Sequence, residues 1–219
     1  MQLFIDSANM DEVRPAWDMG VISGVTTNPS LIAREGCAVR ERACELAALV
    51  SGPISTEVSA FSVSASDIIA EGREIASWHP NLVVKIPVTA EGLKAVACLE
   101  REGIRTNVTL VFTPSQALLA AQSGASFVSP FVGRLNDAGV SGAETVRDIV
   151  TMLGAFEGKT SVIAASIRTP RDVESCALAG AQYATVPFAI IGAMLEHPLT
   201  AQGIDRFKSD WKAAFGESA

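Results

Sequence analysis

Short runs of apolar, β-branched residues alternate with longer stretches of helical periodicity from one end of the chain to the other, the pattern of repeated β–α units. The runs predicted as strands are 3–6, 22–26, 54–59, 82–86, 104–109, 127–129, 161–165 and 183–186. The stretches predicted as helices are 9–19, 29–50, 65–78, 90–101, 114–122, 142–156, 170–179 and 189–196. Helix entries are marked at Thr113-Pro114 and Thr169-Pro170, where a capping hydroxyl precedes a proline suited to the first helical position. Exits are marked by Gly103, Gly124 and Gly180, each just before a strand, where a left-handed residue ends a helix without steric cost. Eight such units favour an α/β fold closed as a single (β/α)8 TIM barrel over the alternative, an open doubly wound sheet.

A ninth amphipathic stretch, about 201–215, follows the eighth unit, with Ile204, Phe207, Trp211 and Phe215 spaced by three and four. It is an extra C-terminal helix that barrel closure does not need. Its apolar stripe fits either its own barrel or a neighbouring subunit, and spacing does not choose between them. Residues 1–219 read as one domain, because 219 residues suit one barrel of about 200–250 and leave little room for a second independent domain.

Composition narrows the function classes. With 48% hydrophobic and 19% charged residues the chain can build a sizeable core. A net charge of −7 offers no general attraction to nucleic acid or an anionic membrane, so neither is expected as a partner, and an anionic substrate needs a local cationic pocket. The start MQLFIDSANM has no basic leader and no run reaches the length of a membrane span, which makes the cytoplasm the expected location. Cys37, Cys44, Cys98 and Cys176 form no C-x-x-C pair and read as small core residues. His79 and His197 both precede proline and read as turn residues, so a histidine-ligated metal or a Ser-His-Asp triad is not expected.

The chemistry is read at the C-terminal ends of the strands, where barrels of this type place reacting groups. Lys85 lies within the apolar run LVVKIPV, and a lysine is almost never buried without a partner or a purpose. Burial disfavours an ammonium group and favours the amine that attacks a carbonyl to form a Schiff base. The alternative is a lysine paired to Glu57 or Asp6. Those two carboxyls end or sit within strands one and three and are candidates for proton transfer, or for that ion pair alone. Thr27, Asn28, Asn107, Thr109 and Ser129 add polar groups at strand ends. Arg134 and Arg168, with Ser166, follow strands six and seven and compose a candidate phosphate clamp.

The stretches LFIDSAN, GVTTNPSL, VVKIPVTAEGLKA, TNVTLVFTPSQALLAA, VSPFVGRL, AASIRTP and ATVPF resemble the small transaldolases and the closely similar fructose-6-phosphate aldolases, and DWKAAFG near the C-terminus resembles them too. The resemblance implies Lys85 as the Schiff-base lysine and Asp6 as acid/base at C–C cleavage. It further implies Asn28, Thr109 and Ser129 as substrate or water contacts and Arg134, Ser166 and Arg168 around a phosphate. In the transaldolase reading Glu57 with Thr109 handles water-mediated proton transfer. No metal or organic cofactor is implied. Sugar phosphates of the pentose phosphate pathway are the implied substrates. Homo-oligomers, pentamers or decamers, are the implied assembly, with the stretch 201–215 reaching onto a neighbour. Glu57, Ser129 and Phe131 stand where the aldolases typically carry glutamine, alanine and tyrosine, which turns the expectation from aldolase to transaldolase.

Overall fold

The computed structural model describes residues 1–155 and 160–216. In chain order the elements are β1 (Gln2–Asp6), α1 (Met10–Asp18), β2 (Gly24–Thr26), α2 (Pro29–Glu35), α3 (Val39–Leu49), β3 (Ile54–Glu57), α4 (Ala65–Trp78), β4 (Leu82–Pro87), α5 (Ala90–Arg101), β5 (Thr106–Val111) and α6 (Pro114–Gln122). There follow β6 (Phe127–Pro130), α7 (Val132–Asp137), α8 (Gly142–Gly154), β7 (Ser161–Ala164), α9 (Pro170–Leu178), β8 (Tyr183–Val186), α10 (Phe188–Leu195) and α11 (Pro198–Phe215). All eight strands are parallel and each pairs with its sequence neighbours, β8 returning to β1, so the sheet is a closed barrel. The open-sheet alternative is excluded.

Each strand keeps two faces apart, because successive side chains alternate. Outward-facing residues such as Ile5, Val25, Ile54, Val84, Ile86, Val108 and Val128 join the helices in one continuous core. Inward-facing residues form a second, smaller cluster of Phe4, Val83, Phe127 and Ile163, with Tyr183 packed against it. The rings of Phe4, Phe127 and Tyr183 meet at tilted or edge-on angles, with Tyr183 4.9 Å from Phe4 and 5.8 Å from Phe127. Two residues further along the same strands stand Asp6, Lys85, Ser129 and Thr185. A period of two therefore puts an apolar plug low in the barrel and a polar layer at its C-terminal mouth.

Several boundaries differ from the sequence expectation for identifiable reasons. The predicted helix 29–50 is two helices, because Gly36 takes a left-handed φ of 65° and ends α2, after which Ala38 starts α3. α7, not anticipated, fits between β6 and α8. Thr113 and Thr169 each form a capping box, and their following prolines occupy the first helical turn. The end of the predicted helix 142–156 at Phe156 lies outside the described residues. α11 starts earlier than expected, at Pro198, with the His197 side chain accepting from the Leu199 amide as its cap. Of the cysteines only Cys176 is buried, and burial pushes its thiol up to about 12; Cys37, Cys44 and Cys98 are partly exposed, correcting their reading as core residues. No helix among the described residues is long and apolar enough to cross a membrane.

The plug depends on one missing side chain. A Cβ on Gly24 would stand 2.7 Å from the Phe4 ring and 2.7 Å from the Pro53 carbonyl oxygen. Gly24→Ala is therefore expected to lower unfolding stability by about 1–3 kcal/mol through overpacking, read as a lower denaturant midpoint; an unchanged midpoint would mean that the plug yields freely.

Candidate active site

The polar layer surrounds Lys85, whose residue is only 6% exposed. Its Nζ donates to the Thr27 carbonyl oxygen at 2.9 Å and lies 3.0 Å from Glu57 Oε2. The register β3–β4 accounts for the pair, since Glu57 and Lys85 are directly opposed on adjacent strands. A charged amine in the barrel interior is tolerable only with such partners, and removing one from a buried pair costs about 3–5 kcal/mol.

Asp6 faces the same space from the end of β1. Burial is the largest influence on its carboxyl and raises its pKa, Lys85 and the hydrogen bond from Thr26 draw it back down, and Glu57 adds to the rise. Thr26 Oγ1 donates to Asp6 Oδ1 at 2.9 Å and meets Thr185 Oγ1 at 2.6 Å. Below Ser129 a buried chain runs from Ser129 Oγ to Asn107 Oδ1 at 2.7 Å and from Asn107 Nδ2 to Ser55 Oγ at 3.1 Å. Asn107 is thus fully committed inside the barrel and does not line the pocket. Thr27 is also buried, its hydroxyl donating to the Ser55 carbonyl oxygen while its own carbonyl holds Lys85.

A pocket of about 110 Å³ opens over Lys85, lined by Asp6, Thr26, Asn28, Lys85, Ser129, Phe131, Arg134, Ala165, Ser166 and Thr185. A wider one of about 410 Å³ adjoins it through Asn28, Lys85, Phe131 and Arg134, and adds Glu57, Thr109 and Arg34. Thr109 Oγ1 is buried there without a hydrogen-bond partner, a polar group left for water or a ligand. Asn28 caps α2 through its side chain, which accepts from the Leu31 amide at 3.0 Å. Phe131 lies between its neighbours, 5.7 Å from Phe112 and 4.8 Å beneath the Arg134 guanidinium, whose charge faces the ring.

The end of β5 and the loop after β7 are held in unusual backbone. Leu110 and Ser166 have φ of 59°, a left-handed conformation that non-glycine residues adopt at a cost of about 1–3 kcal/mol each and that clusters at functional sites. A shift in the β5–β6 register between Val108 and Val111 accompanies the first. Gly133 allows α7 to approach the second, as its amide donates to the Ser166 carbonyl oxygen at 3.0 Å and a Cβ would stand 2.2 Å from that oxygen. Arg168 passes over the same glycine, and its guanidinium pairs with Asp137 at 2.5 Å on the exposed side, outside the lining of either pocket. The structure thus brings Arg134 and Ser166 together at the mouth and leaves Arg168 at its rim.

Sequence reasoning missed Thr185, Arg34 and the role of Thr26 as partner of Asp6. Thr185 had a usable signal: it follows the inward-facing Tyr183 by two residues, as Asp6 follows Phe4 and Lys85 follows Val83. Among the described residues no group of three or more His, Cys, Asp or Glu side chains is placed to hold a metal ion.

The transaldolase/fructose-6-phosphate aldolase family model matches residues 3–218. A probable transaldolase of Brachyspira hyodysenteriae is 56% identical over 217 residues, covering 99% of this chain and 100% of that protein. One from Desulforudis audaxviator is 57% identical over 211 residues, covering 96% and 97%. Among solved structures, thiamine phosphate pyrophosphorylase from Pyrococcus furiosus matches with a TM-score of 0.60 at 17% identity over 87% of each chain, a likeness of fold alone.

The raised Asp6 carboxyl carries a stability consequence with a definite sign. A carboxyl whose folded pKa lies above its unfolded value near 3.8 destabilises the fold wherever it is ionised, and the penalty fades as pH falls through the folded value. Asp6→Asn is expected to unfold at a higher temperature than the wild type at pH 7–8, the gap closing by about pH 4; a gap that widens on acidification would reverse the assignment.

Proposed function

The chain belongs to the transaldolase/fructose-6-phosphate aldolase family, and from that premise we propose that it is a transaldolase acting through a Schiff base on Lys85. The observation that carries the reading is a buried amine paired to Glu57, with the Asp6 carboxyl lining the same pocket, at the mouth of a barrel where Arg134 and Ser166 also line that pocket. The donor is a ketose phosphate such as fructose 6-phosphate or sedoheptulose 7-phosphate. The acceptor is an aldose phosphate such as erythrose 4-phosphate or glyceraldehyde 3-phosphate. These are reactions of the pentose phosphate pathway, and the cytoplasm is the location that goes with this reading.

Glu57, 3.0 Å from Nζ, takes a proton from Lys85 and frees the amine to attack the donor C2 carbonyl. Loss of water from the carbinolamine leaves a protonated imine. Asp6 then accepts the proton of the C4 hydroxyl as the C3–C4 bond breaks, and the electron pair of that bond passes into the imine to form an enamine. The shortened aldose departs, the acceptor aldehyde enters, and the same groups run in reverse. Thr109 and Glu57 border the wider pocket and hold the water that adds to the imine at release. Arg134 and Ser166 hold the phosphate, with Arg168 joining from the rim on release from Asp137. Asn28 and Ser129 meet the sugar hydroxyls. Nothing in this sequence of steps requires a cofactor.

Phe131 favours transfer over hydrolysis. Its ring lies in both pockets and has no hydroxyl to orient a water onto the intermediate, so the three-carbon unit waits for an aldose. The second reading, a fructose-6-phosphate aldolase releasing free dihydroxyacetone, is supported by the shared fold and lysine. A non-catalytic sugar-phosphate-binding barrel is the third, and the pairing of Lys85 with Glu57 in a pocket that Asp6 also lines argues against it.

We also propose a homo-oligomer, a pentamer or a decamer. α11 buries none of its residues, and Phe207, Trp211 and Phe215 are all exposed, a stripe that a neighbouring subunit would cover. Light scattering is expected to show five or ten times the 22.9 kDa chain mass, lowered by Phe207→Glu with Trp211→Glu; a 22.9 kDa wild type would end the proposal.

The activity test is to supply fructose 6-phosphate with and without erythrose 4-phosphate and measure sedoheptulose 7-phosphate and free dihydroxyacetone. Transaldolase predicts the heptulose with acceptor and little dihydroxyacetone without it; abundant dihydroxyacetone would favour the aldolase, and neither product the binding protein. Asp6→Asn is expected to slow transfer by about 10²–10⁴-fold.

A further inference from the structure

Thr185 is 2% exposed, lines the pocket over Lys85, and lies on β8, next to β1 in the barrel. Its Oγ1 stands 2.6 Å from Thr26 Oγ1, which in turn stands 2.9 Å from Asp6 Oδ1. Proton bookkeeping fixes the direction of this chain. An ionised carboxylate can only accept, so the one hydroxyl proton of Thr26 goes to Asp6. The short Thr26–Thr185 contact then has only the Thr185 proton to occupy it. The chain runs Thr185 to Thr26 to Asp6, with every proton pointing towards the carboxylate. Hydrogen bonds in series polarise one another, so the outer hydroxyl strengthens the inner bond.

We propose that Thr185 is a positioning residue that acts through Thr26 to hold the Asp6 carboxylate oriented and ready to accept a substrate proton. The proposal rests on the reading of Asp6 as the proton acceptor in C–C cleavage. The chain is built from two strands that flank β1 on either side, β2 and β8, and it fixes one carboxylate oxygen while leaving the other free for substrate. The other charged groups bordering the two joined pockets are Lys85 from β4, Glu57 from β3, Arg134 from α7 and Arg34 from α2. Burial of Asp6 opposes its charge, and the hydroxyl chain works against that opposition together with Lys85. When Asp6 takes up a proton the carboxylate no longer needs the chain, so Thr185 favours the state before transfer.

The test compares wild type, Thr185→Val, which keeps the shape and removes the hydroxyl, and Thr185→Ser, which keeps the hydroxyl. The acid limb of kcat/KM for fructose 6-phosphate cleavage is expected to move up by about 0.3 of a pH unit in Thr185→Val and to return to the wild-type position in Thr185→Ser. An acid limb unmoved in Thr185→Val, with any loss confined to KM, would overturn the chain and leave Thr185 a packing residue. A stability cycle gives a readout independent of turnover: Thr185→Val should destabilise the wild type above the Asp6 pKa and have less effect in an Asp6→Asn background. An equal effect in both backgrounds would overturn the proposal. Wild type without any cleavage activity would refute the transaldolase reading, and the stability cycle would still decide the chain.

Discussion

An amine at the centre of a closed barrel has to be given partners, because the surrounding strands cannot solvate a charge. In this structure the partners are Glu57 on the adjacent strand and the carbonyl oxygen of Thr27. That requirement organises much of what surrounds it. Thr27 can present its carbonyl inward because β2 ends at Thr26 and the chain turns towards Asn28, which caps α2. Glu57 meets the amine because β3 and β4 are in register. The pair is a poor source of stability, since desolvation offsets the attraction between the charges. Its value lies in keeping an amine and a proton acceptor at fixed separation, ready for a carbonyl.

Below this layer the barrel compensates with close apolar packing. Phe4, Val83, Phe127, Ile163 and Tyr183 seal the bottom and keep water out from that side, so that access to Lys85 is from the C-terminal mouth. Division of labour along each strand is then a matter of two residues: Phe4 packs and Asp6 reacts, Val83 packs and Lys85 reacts, Tyr183 packs and Thr185 bonds to Thr26. At the mouth the chain accepts left-handed backbone at Leu110 and Ser166 in order to aim neighbouring groups at the pocket. The closed sheet and its surrounding helices supply the stability that these two positions draw on.

The order of elements was legible in the sequence because buried parallel strands are β-branched runs and the intervening helices carry strong punctuation, as at Thr113-Pro114 and Gly124. The split at Gly36 was harder, because the apolar spacing continues through it and only a left-handed backbone reveals the stop. Lys85, Asp6 and Glu57 were conspicuous as charges in apolar runs. Thr185 was not, since a threonine in a strand is ordinary, and its importance lies in a hydroxyl contact between residues 159 positions apart. The two arginines looked equivalent along the chain; the structure separates them, with Arg134 lining the pocket and Arg168 paired to Asp137.

The central claim is covalent chemistry at one nitrogen, and borohydride trapping tests it most directly. The protein is incubated with fructose 6-phosphate and borohydride, with and without glyceraldehyde 3-phosphate, and analysed by intact mass and peptide mapping. The account predicts a reduced three-carbon adduct on Lys85 that the acceptor depletes. Turnover with no adduct on any lysine, or an adduct on a lysine other than Lys85, would contradict it.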